Sequence, residues 1–278
     1  MNKLTIEKRA AVISALVEGN SIRATVRMTG AAKNTVVKLL ADLGSACRNY
    51  HNETVRNLKC KKIQADEIWS FCYAKDKNVP DCMRGQFGVG DVWTWTGICA
   101  DSKLIVSYLV ADRGPMAAHD FMLDLADRLA NRIQLTTDGY RCYLNAVPAA
   151  FGNDIDYAIL NKIYGPSPDM ARRSGPSECI GCMKMAKIGG PIGAYVSTSF
   201  VERQNLTMRM GMRRFTRLTN GFSKKLENLE HAVALHFMYY NFCRKHQTLK
   251  TTPAVAAGIA DRQWSISDLM KLLDKVPN

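Results

Sequence analysis

Three acidic residues lie where a folded chain can bring their carboxylates together. Asp66 interrupts the apolar run IQADEIWSF, Asp138 ends the run LTTD, and Glu202 opens the helix-like segment TSFVERQNL. A charge in an apolar setting is costly to bury unless it is paired or bound to a metal ion. Carboxylates on rigid elements suit Mg²⁺ and other hard divalent cations. Two such ions about 4 Å apart activate a water or a 3′-hydroxyl for phosphodiester transfer, and three carboxylates suffice when one bridges both ions.

Each of these carboxylates also has an ordinary structural explanation. Asp138 precedes a glycine, as acids do in many turns. Ser199 and Glu202 have the spacing of a capping box, so Glu202 could cap its own helix. Asp66 could pair with a nearby lysine, and Glu67 competes with it for the first position of a metal site. Residue types and spacing leave these alternatives open.

The elements that would position these acids are β-rich in the middle of the chain. Apolar, β-branched and aromatic runs predict five strands, over residues 63–75, 91–101, 103–112, 133–139 and 155–165. Apolar side chains spaced four apart predict a helix over 119–133. Longer helices are predicted from Phe200 to about Arg214 and from Lys225 to about Arg244. Strands followed by a helix and further strands indicate a mixed sheet.

The N-terminal residues have a helical pattern instead. Helices are predicted over 5–18, 22–28 and 32–43, with Gly44 ending the third, and residues 45–60 are predicted to be a linker. Two short helices joined by a tight turn and followed by a polar-fronted third are typical of a helix-turn-helix. The third helix would present four polar residues to the DNA groove, namely Lys33, Asn34, Thr35 and Lys38. The alternative is a three-helix bundle used for protein contacts.

The charge of the chain points to a polyanionic partner. Its 38 Lys and Arg against 25 Asp and Glu give a net charge of +13, which favours nucleic acid over an anionic membrane surface. Residues 1–62 hold twelve basic residues and four acids, and residues 203–226 hold seven basic residues and no acid. Two basic zones around a more acidic centre suit a protein that grips a phosphate backbone and keeps its carboxylates for metal.

The cysteines and one glycine-rich segment give separate predictions. Nine cysteines without a framework spacing indicate reduced thiols in the cytosol, and no apolar run is long enough for a membrane span. Residues 161–196 are rich in Gly and Pro and are predicted to form an insertion or mobile loop. This segment contains the Cys-x-x-Cys pair Cys179 and Cys182. A structural zinc site needs two further ligands, and none has standard spacing.

Three segments, in this order, resemble the DDE transposases and integrases with a ribonuclease H-like core, and most of all the bacterial insertion sequence one family. They are ADEIW around Asp66, TTDGYRCYL around Asp138, and SFVERQNLTMRMGMRRFTRLTNGFSKKLENL around Glu202. The tail YYNFCRKHQTLKTTPAVAAG resembles the pattern that closes many such domains. By this resemblance Asp66, Asp138 and Glu202 are the catalytic metal ligands. They would hold Mg²⁺ or Mn²⁺, with two ions expected.

The resemblance also assigns residues beyond the acids. Arg209 follows Glu202 by seven residues, on the same helical face, and would hold DNA near the metals. Arg213 and Arg214, from the basic zone 203–226, are also predicted to bind DNA. Asn205, one turn from Glu202, would assist or be an ordinary surface amide. His246 would contact a phosphate or cap a helix C-terminus. Many relatives carry a cysteine zinc motif before the helix-turn-helix, whereas here the predicted helices come first.

These features together predict three regions. They are an N-terminal all-α helix-turn-helix domain and linker over 1–58, a ribonuclease H-like mixed-sheet catalytic domain of α+β or α/β class over 59–250, and a C-terminal tail over 251–278. The expected function is that of a DNA transposase, which binds terminal inverted repeats, cleaves the element's ends and joins them to target DNA. At least a dimer is expected on DNA, in the bacterial cytoplasm at the nucleoid. The alternatives are a metal nuclease or resolvase that cuts without joining, and a helix-turn-helix repressor whose larger domain only oligomerises.

Overall fold

The structure is a computed structural model that describes residues 4–165, 178–216 and 219–275. Its strands are β1 (Lys62–Cys72), β2 (Gly90–Cys99), β3 (Ile105–Ala111), β4 (Gln134–Thr137), β5 (Asp156–Gly165) and β6 (Glu178–Ile188). Its α-helices are α1 (Ile6–Val17), α2 (Ile22–Thr29), α3 (Lys33–Thr54), α4 (Pro115–Asp127), α5 (Tyr143–Phe151), α6 (Ser199–Gly211), α7 (Leu226–Met238), α8 (Pro253–Ala256) and α9 (Ile266–Met270). A π-helical turn, Tyr239–Cys243, extends α7. Within these ranges no helix combines the length and the apolar character that crossing a bilayer demands.

The described strands form one mixed sheet in the order β3-β2-β1-β4-β5-β6. β1 pairs antiparallel with β2 and parallel with β4, β4 pairs parallel with β5, and β6 pairs antiparallel with β5. The predicted mixed α/β arrangement is therefore confirmed, and it is compatible with a ribonuclease H-like domain. β1 lies where the antiparallel and parallel parts of the sheet meet.

Helices cover both faces of the sheet. On one face, Trp95 of β2 packs against Phe121 of α4 and Tyr143 of α5, with ring centroids 5.9 and 5.6 Å apart. On the other face, Tyr108 of β3 packs against Phe237 of α7, with ring centroids 5.0 Å apart. α6 lies against β1 on this second face. Because side chains alternate along a strand, β1 sends its residues in turn to each of these layers.

The third helix is longer than predicted. α3 continues through Gly44 to Thr54, so the predictions of a helix end at Gly44 and of a linker over 45–60 are wrong for its helical part. A Cβ on residue 44 would lie 2.6 Å from both the Cβ and the carbonyl oxygen of His231 on α7. The glycine is therefore the point at which two helices touch, and it does not end its own helix.

α3 also joins the N-terminal helices to the remainder of the protein. Leu43 on its inner side belongs to a buried apolar cluster that also contains Val12 of α1, Val233 of α7 and Leu269 of α9. The predicted boundary at residue 58 is not marked by a break in this cluster. The domain boundaries stay predictions.

Part of the predicted insertion is regular structure. β5 covers its beginning, and β6 pairs antiparallel with β5, so that Lys162 lies opposite Cys182. The prediction of a loop over 161–196 is wrong for these strands, and residues 166–177 lie outside the described residues. The glycine content was misleading because Gly181 lies within β6, next to a shift in register, which is a position that favours glycine in strands.

The contact at Gly44 predicts an unusual response to alanine. Gly→Ala inside a helix ordinarily stabilises the helix by up to about 1 kcal/mol. Here Gly44→Ala is expected to lower the free energy of unfolding by about 1–3 kcal/mol, because the added methyl overlaps His231. Urea unfolding followed by circular dichroism measures the change.

Two comparisons make the test specific. His231→Ala should not rescue Gly44→Ala, because the Cα and carbonyl oxygen of residue 231 remain within 2.7 Å of the new methyl. Gly190→Ala, whose Cβ would meet nothing within 4 Å, should stay within about 0.5 kcal/mol of the wild type. A Gly44→Ala protein as stable as the wild type would contradict the packing described for α3 and α7.

Candidate active site

The pairing of β1 with β4 sets two acids side by side. The strands are parallel, and their last paired residues are Ala65 and Thr137. The next residue along each strand direction is an acid, Asp66 on β1 and Asp138 directly after β4, and neighbours on parallel strands point to the same face. Carboxylate oxygens of Asp66, Glu67 and Asp138 lie within 4.8 Å of one another, which is close enough for a shared metal ion.

A cleft of about 840 Å³ opens beside these acids. β4 is only four residues long, so its neighbours β1 and β5 continue past its end and leave a gap between them. Open α/β sheets bind their ligands at such carboxyl ends of parallel strands. The lining residues are Asp66, Glu67, Arg113, Asp138, Gly139, Tyr140, Leu160, Asn161, Lys162, Tyr164, Thr198, Glu202, Asn205 and Arg209.

A buried glutamine fixes the beginning of α6 over the sheet. Gln64 of β1 is 3% exposed, and its Oε1 accepts the backbone N–H groups of Phe200 (2.8 Å) and Val201 (3.2 Å). The first N–H groups of a helix have no partner within the helix, so Gln64 satisfies two of them. Gln64 and Asp66 point to the same face of β1, and Glu202 lies in this first turn of α6. Glu202 therefore reaches the cleft that contains Asp66.

Glu202 is held by two polar side chains. The Thr198 hydroxyl donates to Oε1 at 2.6 Å, and Nζ of Lys162 donates to Oε2 at 2.5 Å. The N-cap residue of α6 is Thr198, and it makes no side-chain capping bond, so the interpretation of Ser199 and Glu202 as a capping box is wrong. Among the described residues, the acids within 4.8 Å of one another do not include Glu202. The structure brings Asp66 and Asp138 together and places Glu202 in the same cleft, outside this group of three acids.

Asp66 accepts hydrogen bonds from neutral groups and, among the described residues, forms no ion pair with a lysine. The N–H of Glu67 donates to Oδ1, and Nδ2 of Asn205 donates to Oδ2, both at 2.8 Å. The lysine partner considered from the sequence is not found among the described residues. Burial, followed by the negative charges of Glu67 and Asp138, raises the pKa of Asp66 to about 7. A bound cation would therefore stabilise the ionised form of this carboxyl group.

Asn205 is part of the site. It is only 8% exposed, so the interpretation as a surface amide is wrong. While its Nδ2 donates to Asp66, its Oδ1 is buried and has no hydrogen-bond partner among the described residues. Buried polar atoms are nearly always paired in folded proteins. An unpaired carbonyl oxygen beside carboxylates is a further oxygen atom that a hard cation, or water on one, can satisfy.

Glu67 is neutralised by the protein itself. Its side chain is 0% exposed. Arg113 donates from Nε (2.8 Å) and Nη2 (2.6 Å) to Oε1, and the Tyr143 hydroxyl donates to Oε2 at 2.8 Å. Burial and the charge of Asp138 raise the pKa of Glu67, and the bonds from Arg113 and Tyr143 oppose that shift. Both oxygens of Glu67 are thus engaged by side chains, which separates its environment from that of Asp66.

Asp138 does form the turn expected of an acid before glycine. Its Oδ1 accepts the backbone N–H of Tyr140 at 3.0 Å, two residues on, so the interpretation as turn chemistry is confirmed. The same carboxylate belongs to the group within 4.8 Å of Asp66 and Glu67. The turn holds Asp138 in place at the end of β4.

The predicted DNA-binding arginines differ in their surroundings. Arg209 lines the cleft and is half-buried. Arg213 is exposed. Arg214 is half-buried, and its Nε donates to the Ser223 hydroxyl at 2.8 Å, while burial lowers its pKa to about 10. Arg214 therefore has a structural contact within the protein.

The remaining predicted residues lie outside the cleft. All four of the polar residues on α3 are exposed, and Lys38 pairs with Asp42 at 2.7 Å. His246 lies beyond the end of the π-helical turn, and its Nδ1 is buried without a hydrogen-bond partner among the described residues, so that atom does not cap the helix. Cys179 and Cys182 are exposed on β6, and the described residues give them no third ligand within metal-binding distance.

Sequence reasoning missed three residues that organise the cleft: Gln64, Arg113 and Lys162. A signal was available for each. Gln64 and Lys162 are polar residues within predicted strands that are largely apolar, and Arg113 comes just after a predicted strand. What the sequence did not contain was the identity of their partners, which lie far away along the chain.

Comparison with known proteins adds little. No protein family profile matches the chain, and no curated protein matches it. Among solved structures, the chain is similar to one in the crystal structure of the Mos1 strand transfer complex, with 12% identity and a TM-score of 0.21. The match covers 53% of this chain and 56% of that one, so the chain matches little more than half of that protein's length. A TM-score this low carries no weight for fold or function, which rest here on the sheet topology and on the carboxylate geometry.

The Glu67–Arg113 pair predicts a pH-dependent loss of stability. Arg113→Met keeps an apolar stem and removes the charge, which leaves the Glu67 carboxylate buried with only Tyr143 as a partner. We expect the free energy of unfolding to fall by about 2–3 kcal/mol at pH 8, somewhat less than for a fully buried pair because Arg113 is 37% exposed. Since the pKa of Glu67 is raised, its ionised form is disfavoured in the folded state. Once Glu67 is protonated, it carries no charge for Arg113 to neutralise. Without Arg113, which lowers it, the pKa of Glu67 rises further in the variant, so the loss should shrink as the pH falls through that higher pKa toward the pKa of Glu67 in the wild type.

Urea unfolding at pH 8 and at pH 5 measures both values. The double variant Glu67→Gln/Arg113→Met should lose less at pH 8 than Arg113→Met alone. Arg48→Met removes an exposed arginine 3.7 Å from Glu230 and should cost no more than about 0.5 kcal/mol. An Arg113→Met penalty that is equal at both pH values would show that packing, and not charge, is the role of this arginine.

Proposed function

We propose that this protein is a DNA transposase of the DDE type, which uses divalent metal ions to cut DNA and to join the cut ends to a target. The observation that carries the proposal is the register of β1 and β4, which sets Asp66 beside Asp138 in a cleft that Glu202 also lines. Three acids, from two strand positions and one helix turn, line one cleft. Burying each carboxylate costs free energy of folding, so their grouping supports a role in phosphodiester chemistry rather than in stability.

The residues of the cleft fit a hard divalent cation. Asp66, Asp138 and Glu202 would hold Mg²⁺ or Mn²⁺, as the two ions that phosphodiester transfer uses. The donor atoms are all oxygen, which these ions prefer. Asn205 supports the fit with its buried, unpaired Oδ1. When bound, such ions supply Lewis acidity, which activates an attacking water or 3′-hydroxyl and stabilises the leaving oxygen.

The surrounding residues would orient the ligands. Asn205 and the N–H of Glu67 fix the two oxygens of Asp66. Thr198 fixes one oxygen of Glu202, and Lys162 holds the other. Glu67, neutralised by Arg113, is a positioning residue in this proposal and not a ligand. A phosphate of the DNA would be bound by Arg209, which lines the same cleft.

Two successive steps would share this cleft. In the first, water attacks a phosphodiester at the element's end and a 3′-hydroxyl leaves. In the second, that 3′-hydroxyl attacks a phosphodiester of the target and the target's own 3′-oxygen leaves. Since both are the same displacement at phosphorus with different nucleophiles, one set of acids serves both. Two ends require at least two protomers on the DNA.

Binding of the ends is assigned to α3. Its polar residues Lys33, Asn34, Thr35 and Lys38 are exposed, as base and phosphate contacts must be. The left-handed Gly30 ends α2, and α3 begins three residues later, which supports a helix-turn-helix. Arg213, also exposed, would add a phosphate contact beyond α6.

The decisive experiment is cleavage of DNA that carries the element's own ends. Wild-type protein with Mg²⁺ should cut at the ends and should join pre-cleaved ends to a target plasmid. Glu202→Gln should lose at least about a hundredfold in cutting rate while binding the same DNA with unchanged affinity, because the charge is lost and the shape is kept. Glu53→Gln, an exposed acid on α3 that does not line the cleft, is the matched control and should retain full activity.

The outcomes separate the alternatives. Cutting without joined product would replace the transposase with a metal nuclease or resolvase. DNA binding with no cutting by the wild type under any divalent cation would favour a repressor. Cutting by Glu202→Gln at the wild-type rate would remove this acid from the active site.

Metal binding gives a second, independent test. Saturating Mn²⁺ at about 100 times its dissociation constant should stabilise the wild type by about 2.7 kcal/mol, or a rise of about 5 °C or more in melting temperature. Asp138→Asn should abolish this rise. In metal-free buffer at pH 8, however, the same variant should melt higher than the wild type, because the repulsion among Asp66, Glu67 and Asp138 is relieved. Equal Mn²⁺ shifts in both proteins would contradict the site.

A further inference from the structure

Aromatic side chains form a row on β1, β2 and the segment before α7. We call the row Trp93, Trp69, Phe71 and Phe222 the aromatic platform. Trp69 and Trp93 lie directly opposite each other in the β1–β2 pair, and Phe71 follows Trp69 on the same face. Ring centroids are 5.6 Å apart for Trp69 and Phe71, and 4.8 Å apart for Phe71 and Phe222.

The platform is not covered by the helices that cover the rest of its face. Trp95, two residues from Trp93 on the same side of β2, is fully buried against Phe121 and Tyr143. Trp69, Trp93, Phe71 and Phe222 are each only half-buried. The sheet therefore extends past α4 and α5 and presents aromatic rings where strands of a soluble protein ordinarily carry polar residues.

Cations lie over these rings. Nζ of Lys75 is 5.6 Å from the ring centre of Trp69 and 5.8 Å from that of Phe71. Nζ of Lys224 is 4.9 Å from Phe222, and the guanidinium carbon of Arg113 is 4.5 Å from Trp93. The acid nearest in register, Asp91 opposite Phe71, accepts a hydrogen bond from the backbone N–H of Asp76. Rings with positive charge around them match a ligand that has both flat apolar groups and anions.

The platform is continuous with the cleft. Arg113 lines the cleft and binds Glu67, and the same guanidinium stacks on Trp93 and, at 4.1 Å, on Tyr140, which also lines the cleft. Glu67 and Trp69 lie two residues apart on one face of β1. A strand of DNA that leaves the cleft past Arg113 therefore meets Trp93 and Trp69 next.

We propose that the aromatic platform binds the unpaired bases of single-stranded DNA next to the cleavage site, a role that rests on the proposed function of the cleft. The bases stack on the accessible parts of these half-buried rings, and Lys75 and Lys224 meet the phosphates between them. Stacking needs unpaired bases, because the faces of paired bases are covered by their neighbours in the duplex. Proteins that hold single strands combine aromatic rings with cations in this manner.

The test measures binding without catalysis, in EDTA, with the full chain. The probe is a fluorescein-labelled oligothymidylate. The comparison probe, labelled in the same way, is a strand of abasic sites with the same number of phosphates. Fluorescence anisotropy should show that the wild type binds the oligothymidylate at least about tenfold more tightly. Trp69→Leu/Phe71→Leu should lose at least about fivefold on oligothymidylate and should be unchanged on the abasic strand.

The control variant is Tyr195→Leu, which removes an exposed ring that also lies under a lysine, Lys62 at 4.5 Å, but is not part of the platform. It should bind both strands like the wild type. As a measurement that needs no variant, the tryptophan fluorescence of the wild type should be quenched by oligothymidylate and not by the abasic strand.

Several results would overturn the proposal. They are equal affinity of the wild type for both strands, an equal loss on both strands in the double variant, or the same loss in Tyr195→Leu. The first would mean that phosphates alone are bound, and the second that the platform only supports the fold or a protein partner. The binding test is done without metal, so a negative result does not bear on the cleavage test of Glu202→Gln. Likewise, the binding test can be interpreted even if the protein does not cleave DNA.

Discussion

The parallel pairing of β1 with β4 is the constraint on which the rest of the site depends. It ends at Ala65 and Thr137, and the residues that come next on the two strands are Asp66 and Asp138. A shift of one residue in this register would turn one of the acids to the other face of the sheet. Because β4 ends there while β1 and β5 continue, the same pairing also opens the cleft. One short ladder therefore sets both the spacing of the acids and the space in front of them.

The acids around the cleft are compensated in different ways, and the differences agree with the roles proposed for them. Glu67 has Arg113 and Tyr143, and Glu202 has Lys162 and Thr198. Asp66 has only neutral donors, an amide side chain and a backbone N–H. Burial, followed by the negative charges of Glu67 and Asp138, raises its pKa to about 7. A largely buried carboxylate without a cationic partner lowers the stability of the fold. Of these three acids, the one without a cationic side chain beside it is Asp66, which is a proposed ligand of the metal.

Much of the sheet could be predicted from the sequence, because alternating and continuous apolar runs report burial directly. The strand around Asp66, the strand before Asp138 and the helix that begins near Glu202 all follow from such local patterns. The features that were missed depend on contacts between distant residues. The sequence shows a glycine at position 44, yet only the packed helices show that it lies against His231. The Gly and Pro content of 161–196 concealed β6, since its pairing with β5 is decided by the partner strand.

The adjacency of Asp66 and Glu67 is explained by the position of β1 between two layers. On a strand, neighbours point to opposite faces, so the two acids enter different environments although they are consecutive in the chain. The face of Asp66 carries Gln64, which anchors α6, and it receives Asn205 from that helix. The face of Glu67 carries Arg113, which continues the cleft toward Trp93. β1 would therefore serve both proposals through one backbone. One face carries Asp66, the proposed metal ligand, and the other carries Glu67, which binds the Arg113 guanidinium that also stacks on Trp93.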